Sequence, residues 1–174
     1  LTGSELPAQL NQLPDLLAQC EAIRAHAAVH MGLAPSAAEA SLRRPGTPKL
    51  ALLAAPAAYT CSDGRSLTAQ DTDLMVRMLS MGAVHHAVPG TGVIALAVAA
   101  ALPGTLAHQL AGSVAASASI RLGHPSGRAS AAAQLRQTDA GWVADTATLS
   151  RSARCLMRGE VLVPARLWPV EALV

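Results

Sequence analysis

Arg121-Leu122-Gly123-His124-Pro125-Ser126-Gly127 is the stretch on which the reading of the fold turns. A Pro and small polar residues between two Gly break an extended pattern sharply, because Pro fixes one backbone angle while Gly frees others. The run therefore predicts strand, turn, strand, and a turn this compact can bring several donors onto one ligand. Working outward, short segments around Ser117–Leu122, Arg128–Gln137 and Trp142–Leu149 are separated by this turn and by Asp139-Ala140-Gly141, which predicts a β-meander. Upstream, Gly92 to Leu102 has the length and Ala/Leu content of a buried helix, preceded by Pro89-Gly90-Thr91 and stopped by Pro103-Gly104. Strands gathered around one very apolar helix give an α+β fold, and the pattern agrees equally with an antiparallel sheet or half-barrel wrapped around that helix and with an α+β sandwich.

The N-terminal third follows other rules. Leu16, Cys20, Ile23 and Ala27 recur at helical spacing behind Pro14 and Asp15, and Gly32 suits a stop, so a helix is predicted from Pro14 to Met31. Ala34 to Pro48 holds three Pro, a Gly and Arg43-Arg44 and reads as an exposed connector before an apolar strand, Lys49 to Ala55. Ser62-Asp63-Gly64 marks a turn. Asp71 to Ser80 is open between strand and helix, since Leu74, Val76 and Met78 alternate while Leu74, Met75, Met78 and Leu79 also form a helical stripe.

Composition removes several function classes. With 174 residues, 51% of them hydrophobic, the chain fits one domain with an ordinary core. No Phe is present and only Tyr59, Trp142 and Trp168 are aromatic, so the core is built from small aliphatic side chains and stacking platforms for nucleic-acid bases are scarce. A net charge of +2 without a dense basic block adds no case for nucleic acid, while seven Arg from Arg121 onward suit a small carboxylate. The longest apolar run, Val93 to Leu102, is about half a membrane span, so no membrane partner is expected. Cys20, Cys61 and Cys155 are odd in number and far apart, which predicts small core residues in a reducing cytoplasm rather than disulfides. His26 and His30 stand four apart on the first helix, but with no third ligand in the pattern no metal site is expected. The start at Leu1 leads us to expect a fragment, a processed product or half of a split protein.

Three segments carry candidate chemistry: Ser80-Met81-Gly82-Ala83-Val84-His85-His86-Ala87, Gly90-Thr91-Gly92, and Gly123 to Gly127. In this order, with Leu1-Thr2-Gly3-Ser4-Glu5-Leu6-Pro7, Lys49-Leu50-Ala51-Leu52-Leu53 and Arg151 through Val161, they resemble the C-terminal half of the PrpF family. That family includes methylaconitate and methylitaconate isomerases and oxalomesaconate tautomerases. The resemblance covers almost the whole chain and implies a diaminopimelate-epimerase-like half, residues 1–174 being one domain of a two-domain protein. It also settles the ambiguous Asp71–Ser80 as strand.

The resemblance further implies a cofactor-independent isomerase that shifts a proton and a double bond in a small unsaturated di- or tricarboxylate. The substrate-binding set is then Ser80, Met81, His85, Thr91, Gly92, His124, Ser126, Gly127 and Arg154, with Arg151 as the alternative to Arg154 and with His85 as the one residue here that could pass a proton. Thr91 and Gly92 offer a hydroxyl and backbone N–H groups to a carboxylate or developing enolate, and also suit simple helix capping. His124 and Ser126 lack an acidic orienter and a Gly-x-Ser-x-Gly frame, which argues against a hydrolase. In diaminopimelate epimerases a second catalytic Cys stands where this chain has Pro89, so a two-thiol mechanism is not expected. The thiol and lysine of the family belong to its N-terminal half, and neither has a matching motif here; the only Lys is Lys49, on an apparent strand. The implied partners are that N-terminal half or a second chain, or a homodimer. The alternative function is an inactive binding or assembly module, marked by an exposed apolar seam.

Overall fold

The computed structural model describes residues 1–112 and 119–167. A short helix α1 (Pro7–Leu10) leads into α2 (Pro14–His30), which starts on Pro14 and ends where Gly32 takes a positive φ of 70°. The expected connector 34–48 contains a third helix, α3 (Ala37–Arg43). Its prolines lie outside the helix, Ser36 caps it by accepting the Glu39 N–H at 3.2 Å, and Ala40 is buried against Ala25 and Ala28 of α2. A pattern dominated by Pro and Gly concealed a seven-residue helix that depends on tertiary contact.

Strand β1 (Leu50–Ala54) is followed by a small hairpin, β2 (Tyr59–Thr60) and β3 (Ser66–Leu67), then by β4 (Leu74–Ser80) and β5 (Ala83–Val84). Every residue of β4 is buried, which explains the ambiguous sequence pattern: a strand covered on both faces need not alternate. The crossover helices α4 (Gly90–Ala101) and α5 (Leu106–Ala111) come next, then β6 (Ser119–His124), β7 (Gly127–Thr138) and β8 (Gly141–Leu149). The expected start of β6 at Ser117 and the aromatic Trp168 lie outside the described residues.

The sheet runs β1-β4-β6-β7-β8, with β5 folded back on β4. Its pairings are antiparallel except β4 with β6, which run parallel through Leu74↔Leu122 and Met75↔Gly123 because the helical crossover separates them. A bulge at Gln134/Leu135 helps the long β7–β8 ribbon curl, and α4 contacts β6, β7 and β8 from the concave side. The result is the α+β half-barrel around an apolar helix that the sequence implied.

Even-numbered β4 residues Leu74, Val76 and Met78 face α4 and pack with Val93, Leu96, Ala97, Ala100, Ile120 and Leu122. Burial of side chains such as Val93 and Leu96 contributes roughly 1.5–3 kcal/mol each. The opposite face carries Leu79 against Leu10 and Cys20, and Met75 against Tyr59 and Cys61. Cys20 and Cys61 are core residues as expected, whereas Cys155 is exposed, because residues 150–164 follow no helix or strand that would cover it. No helix among the described residues is long and apolar enough to cross a membrane.

Candidate functional site

One edge of β4 is shared by two chain segments. β6 pairs with its first residues and ends at His124, while β5 pairs with Leu79 and Ser80, and the His85 N–H extends that ladder to the Met78 carbonyl at 2.8 Å. The end of β6 and the start of the 85–89 segment therefore meet beside the middle of β4. The Ser126 hydroxyl joins them by donating to the His86 carbonyl at 2.8 Å. Pro89 then delivers the chain into α4, whose first helical bond is Val93 N–H to Pro89 carbonyl. No side chain caps the helix and its first turn holds no acid, so the helix itself leaves the N–H groups of residues 90–92 unused.

Lys49 faces this helix start from the other edge of β4. The β1–β4 register pairs Leu50 with Leu79, which places Lys49 beside Ser80, and the Lys49 ammonium donates to Ser80 Oγ at 2.9 Å. Its second acceptor is the Gly46 carbonyl at 3.5 Å, and no carboxylate pairs with it among the described residues. Two adjoining cavities share Lys49 and Met78. One, of about 240 Å³, extends along His85, His86, Val88 and Pro89. The other, of about 430 Å³, extends along Gly46, Thr47, Thr91, Gly92 and Leu96. A single ammonium thus overlooks an imidazole on one side and an open helix start on the other, over an apolar floor. That arrangement suits an anion with an apolar carbon body.

The sequence candidates separate accordingly. His85, Thr91 and Gly92 line the two cavities. Gly92 also sets their shape: a Cβ there would lie 2.9 Å from Met78 Cε and 3.2 Å from Val88 Cγ1, so any side chain at 92 would push the Met78 and Val88 side chains aside. Ser80 is buried behind Lys49 and orients the ammonium. Met81 occupies the tip of the β4–β5 turn with a positive φ of 53°, its side chain 66% exposed and its N–H on the Pro45 carbonyl, and it lines neither cavity. Lys49 was not a candidate from sequence; no local motif marks it, and only the β1–β4 register brings it to the site.

The 123–127 turn is fastened from behind. Arg77 Nη1 donates to the Gly123 carbonyl at 3.4 Å, the Ser62 N–H and hydroxyl reach the Pro125 carbonyl at 2.7 and 3.1 Å, and the Tyr59 hydroxyl donates to the Gly127 carbonyl. Burial pushes the Tyr59 pKa up to about 12, so the phenol remains a donor. His124 is buried and its Nδ1 accepts the Ser126 N–H at 3.2 Å. Burial lowers the His124 pKa below its ordinary value, and the charge of Arg77 adds to the effect. His124, Ser126 and Gly127 therefore hold the turn against residues 59–62 and 86, and none of them lines the Lys49 cavities. Ser126 Oγ is committed to a carbonyl rather than to a base, in keeping with the case against a hydrolase.

Arg154 is exposed in the segment after β8 and lines no described cavity, whereas Arg151 lines a third one, of about 320 Å³, with Arg128, Ser150 and Ser152. His26 bonds its own helix through Ala22, and no group of three or more His, Cys, Asp or Glu side chains converges among the described residues.

The family model described as PrpF protein matches residues 1–164. The chain belongs to the PrpF family. It is 47% identical over 163 residues to the 2-methyl-aconitate isomerase of Shewanella oneidensis and 34% identical over 164 residues to the 3-methylitaconate isomerase of Eubacterium barkeri, covering 94% of this chain in each case. The crystal structure of a methylitaconate-delta-isomerase superposes with a TM-score of 0.78 at 32% identity, over 92% of this chain. The half-barrel is thus a diaminopimelate-epimerase-like half. This PrpF chain spans 41–42% of the length of those relatives.

Proposed function

We propose that residues 1–174 form the C-terminal half of a PrpF isomerase and supply one wall of a site that moves a proton, and with it a double bond, in a small unsaturated di- or tricarboxylate of the 2-methylaconitate type. The observation that carries this reading is Lys49, without a carboxylate partner among the described residues, between His85 and the uncapped start of α4. The ammonium and the N–H groups of Thr91 and Gly92 bind substrate carboxylate and stabilise the negative charge that develops when a carbon-bound proton leaves. His85 contacts the acid and relays a proton, while His86, which lines the same cavity, gives its carbonyl to the Ser126 hydroxyl. No organic cofactor or metal is needed for such a shift, given a base, an acid and anion holes. The proton-transfer thiol and lysine implied by the family lie in the other half, so this half alone is inactive or nearly so.

Relatives whose names include 2-methyl-aconitate isomerase and 3-methylitaconate isomerase support the substrate class. The test is to combine the chain with the N-terminal half of a PrpF relative and follow solvent deuterium incorporation into 2-methylaconitate by NMR. Exchange that needs both halves and falls at least about tenfold in Lys49→Met, as expected for loss of a charge-assisted carboxylate contact, supports the reading. Exchange unaffected by Lys49→Met would refute it.

A second reading, an inactive assembly module, draws on one observation. Leu156, Met157, Val161 and Leu162 are 79–94% exposed, an apolar surface suited to docking on another body such as the other half or a second copy. Tight association with the other half without exchange would favour it.

A further inference from the structure

We propose that Arg24 on α2 is a positioning residue for Lys49, acting through the backbone of residues 44–47; the inference rests on the reading of Lys49 as a carboxylate ligand. Residues 44–47 join α3 to β1 and belong to no helix or strand, so no repeating ladder sets their shape. Their four successive carbonyls are nevertheless all engaged. Arg24 Nη1 donates to the Arg44 carbonyl at 3.1 Å and to the Thr47 carbonyl at 3.0 Å. Between them, the Pro45 carbonyl accepts the Met81 N–H at 3.1 Å and the Gly46 carbonyl accepts the Lys49 ammonium at 3.5 Å. One guanidinium nitrogen thus ties the two ends of the segment together, and the Gly46 carbonyl that meets Lys49 lies inside the span it closes. Gly46 and Thr47 also line the larger Lys49 cavity together with Thr91 and Gly92.

The chemistry of Arg24 suits a tether rather than a ligand. Its side chain is 3% exposed and lines no described cavity, so it does not meet substrate itself. Its charge is answered by Glu21, whose two carboxylate oxygens accept Nε at 2.7 Å and Nη2 at 2.6 Å, while Glu21 also accepts the Ser41 hydroxyl of α3. The planar fork serves both tasks, two nitrogens on the carboxylate and the third on the carbonyls, which a single ammonium cannot do. Lys49, by contrast, carries its charge on a flexible four-carbon stem, and Ser80 Oγ and the Gly46 carbonyl are the acceptors that hold it. Arg24 fixes the backbone of the second acceptor and so limits where the ammonium can stand.

Lys49 is the only Lys of the chain, so isotopically labelled lysine gives one side-chain signal. The experiment is an NMR titration of the full chain with glutarate, following that signal and the amides of Thr91 and Gly92. Glutarate should move all three in the wild type and bind Lys49→Met roughly tenfold more weakly. Arg24→Met should weaken binding roughly fivefold, the scale of one lost hydrogen bond. Glu21→Gln breaks the same ion pair but leaves the contacts of Arg24 with the two carbonyls, so affinity there should stay within about twofold. If Arg24→Met does not fold, Arg24→Lys keeps a charge beside Glu21 and should show the same severalfold weakening at the Thr91 and Gly92 amides. Unchanged affinity in the Arg24 variant, or equal weakening by Glu21→Gln, would overturn this inference alone. Absence of glutarate binding to the wild type, or binding indifferent to Lys49→Met, would overturn it together with the Lys49 reading.

Discussion

Asp73→Asn probes the contact that fixes where β6 lies, and through β6 where the 123–127 turn is delivered. β4 and β6 share only two paired positions, so the register needs support beyond the ladder. Asp73 Oδ2 accepts the Arg121 N–H at 2.7 Å and Nε at 3.0 Å, and Oδ1 accepts Nη2 at 2.7 Å. Arg121 Nη1 continues to the Gln70 carbonyl at 2.6 Å, and the Asp73 N–H donates to the Arg121 carbonyl at 2.7 Å. Asn keeps the shape but turns one oxygen into a donor that faces another donor, and it removes the charge. With the aspartate side chain 23% and the arginine 39% exposed, solvent screens part of the loss. A cost of about 2 kcal/mol follows, or roughly 4–8 °C in Tm for a chain of this length. Arg121 holds the Asp73 carboxyl below its ordinary value of 3.8 against the opposing effect of burial. A depressed carboxyl stabilises the fold above the unfolded-state pKa and loses that contribution as pH falls through the folded-state pKa. Thermal scans should therefore show the full gap between wild type and Asp73→Asn near neutrality and a closing gap as pH drops below 3.8. A gap under about 1 °C at neutral pH, or one that persists unchanged in acid, would refute the assignment.

Two further outcomes test the back of the turn. Gly123→Ala would place a Cβ 2.8 Å from both Met75 Sδ and Thr72 Cγ2 and 3.2 Å from Tyr59 Cε1, all buried, so unfolding in urea should come earlier by about 1–3 kcal/mol; an unchanged midpoint would show that the layer behind β6 is looser than described. His124 titrates below its ordinary 6.5 because burial disfavours the imidazolium, so the folded state holds fewer protons than the unfolded chain and stability falls as pH drops from 6.5 through the folded-state pKa. His124→Gln should flatten that pH dependence, and an NMR titration placing the His124 midpoint at or above 6.5 would contradict the burial argument.

Much of the fold was legible because each element carried its own signal. Pro14, the helical recurrence through Ala27 and Gly32 define α2; the Ala-rich run between Gly90 and Pro103 defines α4; the turn residues at 123–127 and 139–141 divide the meander. What escaped was decided by contact at a distance. α3 depends on Ala40 meeting Ala25 and Ala28, and nothing within 34–48 reports that. The site divides along the same line. His85, Thr91 and Gly92 sit in local patterns and line the cavities, whereas the place of Lys49 depends on a strand pairing 31 residues away. His124 and Ser126 also sit in a local pattern, yet neither lines the Lys49 cavities, and Tyr59, Ser62 and His86 fasten their turn through the Gly127 and Pro125 carbonyls and the Ser126 hydroxyl.

The scarcity of large side chains is what ties the fold to its chemistry. A core without Phe has to close by bringing backbones together, and α4 does so with Gly at positions 90 and 92. Gly92 admits Met78 and Val88, and Gly90 admits Leu149, whose Cδ2 would lie 3.1 Å from a Cβ there, with Arg151 next to it. A helix packed this way carries only the Thr91 side chain and then Val93 in its first turn, with no side chain capping the N–H groups and no acid to neutralise them. The same two glycines that let Met78, Val88 and Leu149 approach α4 thus leave the helix start open towards the Lys49 cavity. The packing of α4 and the exposure of its first-turn N–H groups follow from the same missing atoms, so a substitution at Gly90 or Gly92 alters both together.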